Sequence, residues 1–282
     1  MSSRCADRRA AARSSRPLSI AAVTIVATLG AGAGEARAQE DGPIEDNSFL
    51  IEEAYNQEAG VVQHIFTFTR FDDSADSAST FTQEWPFGGQ RHQLSYTLAY
   101  LRLDGRDGWG DMALHYRYQL RGMDEDPIAV APRLSLLLPT GEARDGLGAG
   151  SPGVQVNLPV SAPLGRRLVG HWNVGATFVP DAEARSGAES DSDAVQLGHS
   201  LIWLFRPRLN FLLEAVWTRA HNVADAGGTE REESSFVSPG VRFALDRPSG
   251  LQIVPGVAVP IGVGASAGEW ALFAYLSFEH AL

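Results

Sequence analysis

Cysteine is almost absent from this chain: 282 residues carry one, Cys5. Cys5 lies in an N-terminal stretch expected to be removed, which leaves the mature chain without a thiol. Disulfides, thiol catalysis and a cysteine-held metal site are thereby excluded. Long apolar runs are missing too. No stretch after the N-terminus approaches the ~18 continuous apolar residues that a membrane helix needs, and no helical period is visible after residue 60. The seven histidines are scattered, none paired at ligand spacing, so neither a metal nor a cofactor is expected. Gly146-Leu147-Gly148-Ala149-Gly150 lacks the following lysine and the strand-to-helix setting of a phosphate loop. A net charge of −11 argues against nucleic acid as a partner.

The N-terminus reads as an export signal. Arg4, Arg8, Arg9, Arg13 and Arg16 precede an apolar stretch from Leu18 to Leu29, and Ala36-Arg37-Ala38 supplies a small-x-small cleavage site. A cleaved signal peptide is expected over residues 1–38. Residues 39–60 are polar and acidic, and suit an N-terminal tail on the periplasmic side with a brief helical turn over Ile51 to Tyr55.

What the chain does have is two-residue alternation. Between Gly110 and Ser161, Met112, Leu114, Tyr116, Tyr118 and Leu120 alternate with Ala113, His115, Arg117, Gln119 and Arg121. Ile128, Val130, Pro132, Leu134, Leu136 and Leu138 then take one side of a second segment, and Val154, Val156, Leu158 and Val160 one side of a third. Side chains of a strand alternate between faces, so each segment has one apolar and one polar or small face. Candidate strands follow at 61–70, 79–86, 91–103, 110–121, 127–138, 152–161, 168–179, 194–206, 208–219, 234–245, 250–259 and 269–280. Twelve is an even number, as single-chain bacterial barrels require.

The connections sort by parity. Odd hairpins carry stretches such as PTGEARDGLGAGS, the acidic run from Pro180 to Asp193, and AHNVADAGGTEREE; even ones carry FGGQ, GMDED, PLGRR, Arg206-Pro207 and DRPSG. Long loops on one side and short turns on the other are the habit of outer-membrane barrels. Trp85, Tyr100, Trp109, Tyr118, Trp172, Phe178, Trp203, Phe205, Trp217 and Trp270 fall mostly near strand ends, where aromatic girdles lie. The expected fold is all-β: a transmembrane antiparallel up-and-down β-barrel of about twelve strands over residues 61–282.

Three stretches carry a family likeness: GWGDMALHYRYQL (Gly108 to Leu120), APRLSLLLPTGEARDGLGAGSPGVQVNLPVS (Ala131 to Ser161) and HWNVGATFVP (His171 to Pro180). They resemble Gram-negative outer-membrane proteins described as transporters of the "MetA-pathway of phenol degradation" type. The resemblance implies an outer-membrane location and passage of small solutes, with aromatic or hydrophobic compounds suggested by the family's description. The expected partners are outer-membrane lipid, a small-molecule solute and the barrel assembly machinery. Barrel proteins usually end in an aromatic residue that this machinery reads, whereas this chain ends in Leu282, which keeps parity with Trp270, Leu272, Leu276 and Phe278.

Alternation also assigns an interior. An outward arginine near mid-membrane costs about 2–4 kcal/mol, so charges belong inside. The inward set is Thr67, Thr69, His115, Arg117, Gln119, Arg133, Gln155, Asn157, His171, Asn173, Asn210, Glu214 and Arg242. Arg117 and Arg133 fall on neighbouring strands, as do Glu214 and Arg242. These groups either line a narrow conduit or form a satisfied polar network that plugs a small lumen. Gly146, Gly148 and Gly150 belong to a flexible outer loop that could fold inward as a constriction. The alternative to a channel is a closed barrel with a structural or surface-interaction role. Catalysis is not expected: His199 and Ser200 are adjacent on a strand and point to opposite faces.

Overall fold

A computed structural model describes residue 44 and residues 47–72, 75–123, 126–248 and 250–281. The expected signal peptide and Leu282 lie outside the described residues. The strands are β1 (Val61–Phe71), β2 (Ser77–Pro86), β3 (His92–Leu103), β4 (Arg106–Trp109 and Met112–Tyr118), β5 (Ala129–Val130 and Arg133–Leu138) and β6 (Gly153–Pro163). They continue as β7 (Leu168–Glu183), β8 (Glu189–Arg206), β9 (Leu209–Val223), β10 (Thr229–Phe243), β11 (Gln252–Ala258 and Ile261–Gly262) and β12 (Ala271–Ala281). Each pairs antiparallel with its sequence neighbours. β1 pairs with β12 from Val61↔Ala281 to Phe71↔Ala271, which closes the sheet into a twelve-stranded barrel. Closure leaves no edge in the hydrocarbon, where an unpaired backbone group has no water to turn to.

Alternation sets the two faces. On β1, Ile65 and Thr67 are 2% and 7% exposed, while Phe66 and Phe68 between them are both 43% exposed. β9 repeats this, with Asn210, Leu212 and Glu214 buried and Phe211 and Leu213 outward. Trp203, Phe205 and Phe211 pack ring against ring on the outer face near the short-turn end. Prolines mark the irregular places. Pro132 splits β5 and Pro260 splits β11, because neither has an N–H for the ladder.

The long acidic connections differ from expectation. Residues 180–193 and 220–233 are mostly strand, so that β7 to β10 run for 16, 18, 15 and 15 residues. Membrane crossing needs only ~9–11. The loops shrink to tight turns, closed by Ala184 N–H to Ala188 O at 2.8 Å and Ala224 N–H to Gly228 O at 3.0 Å. Neither face of this outer extension meets lipid, so its residues are polar on both sides and show no apolar alternation. The longer-on-one-side parity survives as longer hairpins rather than longer loops.

Leu213 sits outward at mid-strand, 49% exposed before lipid covers it. Leu213→Arg should lower folding stability in bilayers by about 2–4 kcal/mol, measured by denaturant titration into vesicles. An unchanged midpoint would mean this face does not contact lipid.

Candidate functional site

Every residue assigned inward by alternation is turned inward, and ten of them are nearly sealed. His115, Arg117, Gln119, Asn157, His171, Asn173, Asn210, Glu214 and Arg242 are buried, as is Thr67, while Arg133, Gln155 and Thr69 are half-buried. Their register places them in tiers. One tier joins Glu84, Ser95, His115, Ser135 and Gln155 across β2 to β6. The next joins Gln93, Arg117, Arg133 and Asn157. Arg117 and Arg133 are direct cross-strand partners, two like charges side by side.

What they face was not foreseen. The segment expected as a periplasmic tail lies inside the barrel over residues 47–57, and residues 51–55 are irregular rather than helical. It follows the inner wall from strand to strand. Gln57 N–H donates to Gln93 Oε1 (2.7 Å), and Asn56 N–H to Gln119 Oε1 (2.8 Å). Ala54 N–H donates to Ser161 Oγ (2.8 Å), and Glu52 N–H to Asn173 Oδ1 (2.9 Å). Leu50 and Ile51 N–H share Glu214 Oε1 (2.9 and 3.2 Å), and Ser48 meets Ser200 at 3.0 Å. Gly60, at φ +85°, then turns the chain into β1. An irregular backbone at membrane depth is tolerated because barrel side chains satisfy it.

The arginines bind the same segment. Arg117 donates from Nε to Asn56 Oδ1 (2.8 Å), from Nη1 to Glu53 O (3.2 Å) and from Nη2 to Tyr55 O (2.7 Å), with Glu84 at 3.7 Å. Arg133 pairs with Glu52 at 2.8 Å and donates to Gln155 at 2.6 Å. Arg242 donates to Asn47 O (2.7 Å) and Ile44 O (3.3 Å), 3.6 Å from Glu53. Glu214 and Arg242 lie on neighbouring strands as expected, yet Arg242 stands opposite Asn210, and both charges also hydrogen-bond the segment.

Apolar packing completes the dock. Phe49 touches Phe273 and Tyr275, with ring centroids 5.6 and 5.2 Å away. A Cβ on Gly240 or Gly256 would collide with the Phe49 ring, and one on Gly198 with Ile51. These glycines on the inner face were the sequence signal for an occupant: three inward positions give up their side chains. Phe49 also joins Ile65, Ile202, Leu212, Val254, Ala258, Phe273 and Tyr275 in one apolar cluster. The interior is therefore two-sided: polar along β2 to β7, and mixed from β8 round to β1, where this apolar cluster sits among Ser200, Asn210, Glu214, Ser238 and Arg242.

The glycine-rich connection is a pinned strap rather than a loose loop. After a short 3-10 turn over Ala143–Asp145, Gly146 adopts φ +75° beneath the Arg185 guanidinium. Leu147 is buried against Gly108, and Asp111 accepts N–H groups from Gly141 (2.9 Å) and Ala149 (2.7 Å). Gly148 abuts Asp111, and Gly150 abuts Glu183. Ion pairs Arg106–Asp145, Arg144–Glu183 (2.8 Å) and Arg185–Asp104 (2.8 Å) tie the strap to its neighbours.

His199 faces outward, stacked on Trp172, while Ser200 faces inward, so the two form no dyad. Ser161 Oγ does lie 2.7 Å from His171 Nδ1, with Glu53 3.6 Å from Nε2. Ser161 is fully buried and already accepts the Ala54 N–H. Among the described residues no group of three or more His, Cys, Asp and Glu could hold a metal ion.

The fold defines a closed membrane-spanning β-barrel. No protein-family model matches the chain, and no curated protein matches it either. Solved structures do. The chain is similar to the COG4313 outer membrane channel from Pseudomonas putida F1, with a TM-score of 0.57 and 15% identity over 80% of this chain and 98% of that one. It is also similar to the NanC porin, with a TM-score of 0.52 and 10% identity over 76% and 98%. At such identities the likeness concerns the fold.

Ser48 is 4% exposed beside Phe49. With Ser48→Cys as the only thiol of the chain from Gln39, maleimide labelling of the folded barrel should be slow. Adding Phe49→Ala, which removes a ring worth about 3–5 kcal/mol when buried, should raise the labelling rate at least tenfold. Fast labelling without Phe49→Ala would show that the segment is not docked.

Proposed function

We propose that this chain is an outer-membrane channel that passes small solutes, with aromatic or hydrophobic compounds carrying a polar group as the best fit. The observation that carries this reading is the two-sided interior, narrowed by residues 47–57. The polar wall from β2 to β7 suits a hydroxyl or carboxylate, and the wall bearing Phe273 and Leu212 suits a ring. A wide polar pore for bulk hydrophilic solutes does not fit an interior crossed by its own chain. Two of the similar structures are an outer membrane channel and a porin, which supports the outer-membrane placement. The resemblance to transporters of the phenol-degradation type points to the same solute class. We read Ser161, His171 and Glu53 as polar packing, and assign the chain no catalytic activity.

A closed barrel with a surface role is the second reading, favoured by the buried segment and the ion-paired outer strap. Planar-bilayer recording on the refolded chain from Gln39 separates the two. The channel reading expects small steady conductance, raised several-fold by deleting residues 47–57. Replacing Arg117 and Arg133 together by Ala should loosen the segment and shift ion selectivity toward cations. Silence from both the intact and the deleted chain, in samples that migrate as folded barrels, would leave the closed barrel.

A further inference from the structure

The outer hairpins and one arc of the short-turn rim carry opposite charge. On the outer hairpins, residues 181–193 and 219–233 hold nine Asp and Glu against three Arg. Along one arc of the short-turn rim the balance reverses, although the GMDED connection outside that arc is acidic. From the β6–β7 turn to the β10–β11 turn, Arg166, Arg167, Arg206, Arg208 and Arg247 face a single carboxylate, Asp246. Asp246 is taken by Arg208 at 2.8 Å. Arg166, Arg167, Arg206 and Arg247 are all exposed and have no carboxylate partner among the described residues. The turns adjoin: Leu204 N–H donates to Arg167 O (2.9 Å) and Ala244 N–H to Arg208 O (3.1 Å). The arginines thus form an arc over about half of the rim. Trp172, Trp203, Phe205 and Phe243 face outward beside it, at the level where rings meet headgroups. The Arg206 guanidinium lies 5.4 Å from the Phe205 ring centroid.

We propose that this arc is a binding surface for the phosphates of anionic glycerophospholipids in the periplasm-facing leaflet. The inference rests on the outer-membrane placement given above. Guanidinium suits the partner in a way that charge alone does not, because its planar fork takes two phosphate oxygens at once. All 23 basic residues of the chain are arginine and none is lysine. A guanidinium near an anionic membrane surface gains about five-fold in association, and four in an arc act together. The acidic outer hairpins repel the same lipid, so the surface also orients the barrel: short turns toward phospholipid, long hairpins away.

The test uses tryptophan as the reporter. In the refolded chain from Gln39, Trp109, Trp217 and Trp270 are replaced by Phe, leaving Trp85, Trp172 and Trp203 at the short-turn end. Vesicles contain brominated phosphatidylglycerol or brominated phosphatidylcholine, and quenching gives the relative association of each lipid. The expected result is a several-fold preference for phosphatidylglycerol. It should fall to near parity in R166Q/R167Q/R206Q/R247Q and survive in part when the same four positions carry Lys. No preference in the parent chain would overturn the proposal. So would a preference that the Gln substitutions leave intact in barrels confirmed as folded by heat-modifiable migration. Conductance of the Gln variant should match the parent, so this result and the channel result stand or fall separately.

Discussion

Three guanidiniums inside a membrane barrel need partners, and the arrangement of the lumen follows from how they find them. Arg117 and Arg133 stand opposite each other on β4 and β5, and the wall offers them Glu84 and Gln155. The remaining acceptors come from the N-terminal segment: the Glu52 carboxylate, the Glu53 and Tyr55 carbonyls, and Asn56. Arg242 does the same across the lumen with the carbonyls of Asn47 and Ile44. Taking one partner from a buried pair costs about 3–5 kcal/mol. Wall and segment are therefore mutually dependent. The segment has no regular secondary structure and finds its backbone partners on the wall, and the wall's arginines find theirs on the segment.

The outer half obeys a different constraint. Where β7 to β10 rise beyond the lipid, hydrophobic burial no longer holds strands together, and cross-strand polar pairs replace it. His221 meets Asp193 at 3.1 Å, Trp217 donates to Glu233 at 2.9 Å, and Asn222 donates to Glu232 at 2.8 Å. One flank of this extension is covered by the strap, through Glu183 N–H to Ala149 O at 2.9 Å. The other flank is β10 above Ser235, where β11 has ended at Gly262. There Glu230, Arg231, Glu232 and Glu233 crowd an edge that would otherwise invite a second strand, and charge is the usual guard against such pairing.

Most of the wall was legible in the sequence, because lipid outside and protein inside write a period of two. All twelve strands fall where the alternation places them, and the inward positions from His115 to Arg242 follow from parity. Legibility fails where that contrast fails. The ends of β7 to β10 meet water on both faces, so Asp181, Asp191 and Glu232 read as loop although they are strand. The glycines of the strap read as slack, since the contacts that pin them, with Asp111, Glu183 and Arg185, come from other hairpins. Residues 47–57 carry no period because their partners are spread over most of the wall.

One trace of that segment was nevertheless present in the strands. Glycine inside a strand forgoes packing and costs backbone entropy, and it often marks a close approach by something else. Gly198, Gly240 and Gly256 fall on the inward phase of β8, β10 and β11, around the apolar cluster that holds Phe49. A barrel that only had to fill its own lumen would place larger side chains there. Three gaps on that side instead describe a cavity shaped for a ring and a branched aliphatic chain. Phe49 and Ile51, two residues apart in an irregular segment, are what fills it. The wall thus encodes its occupant by what it omits, and the N-terminal segment is packed as part of the barrel's interior.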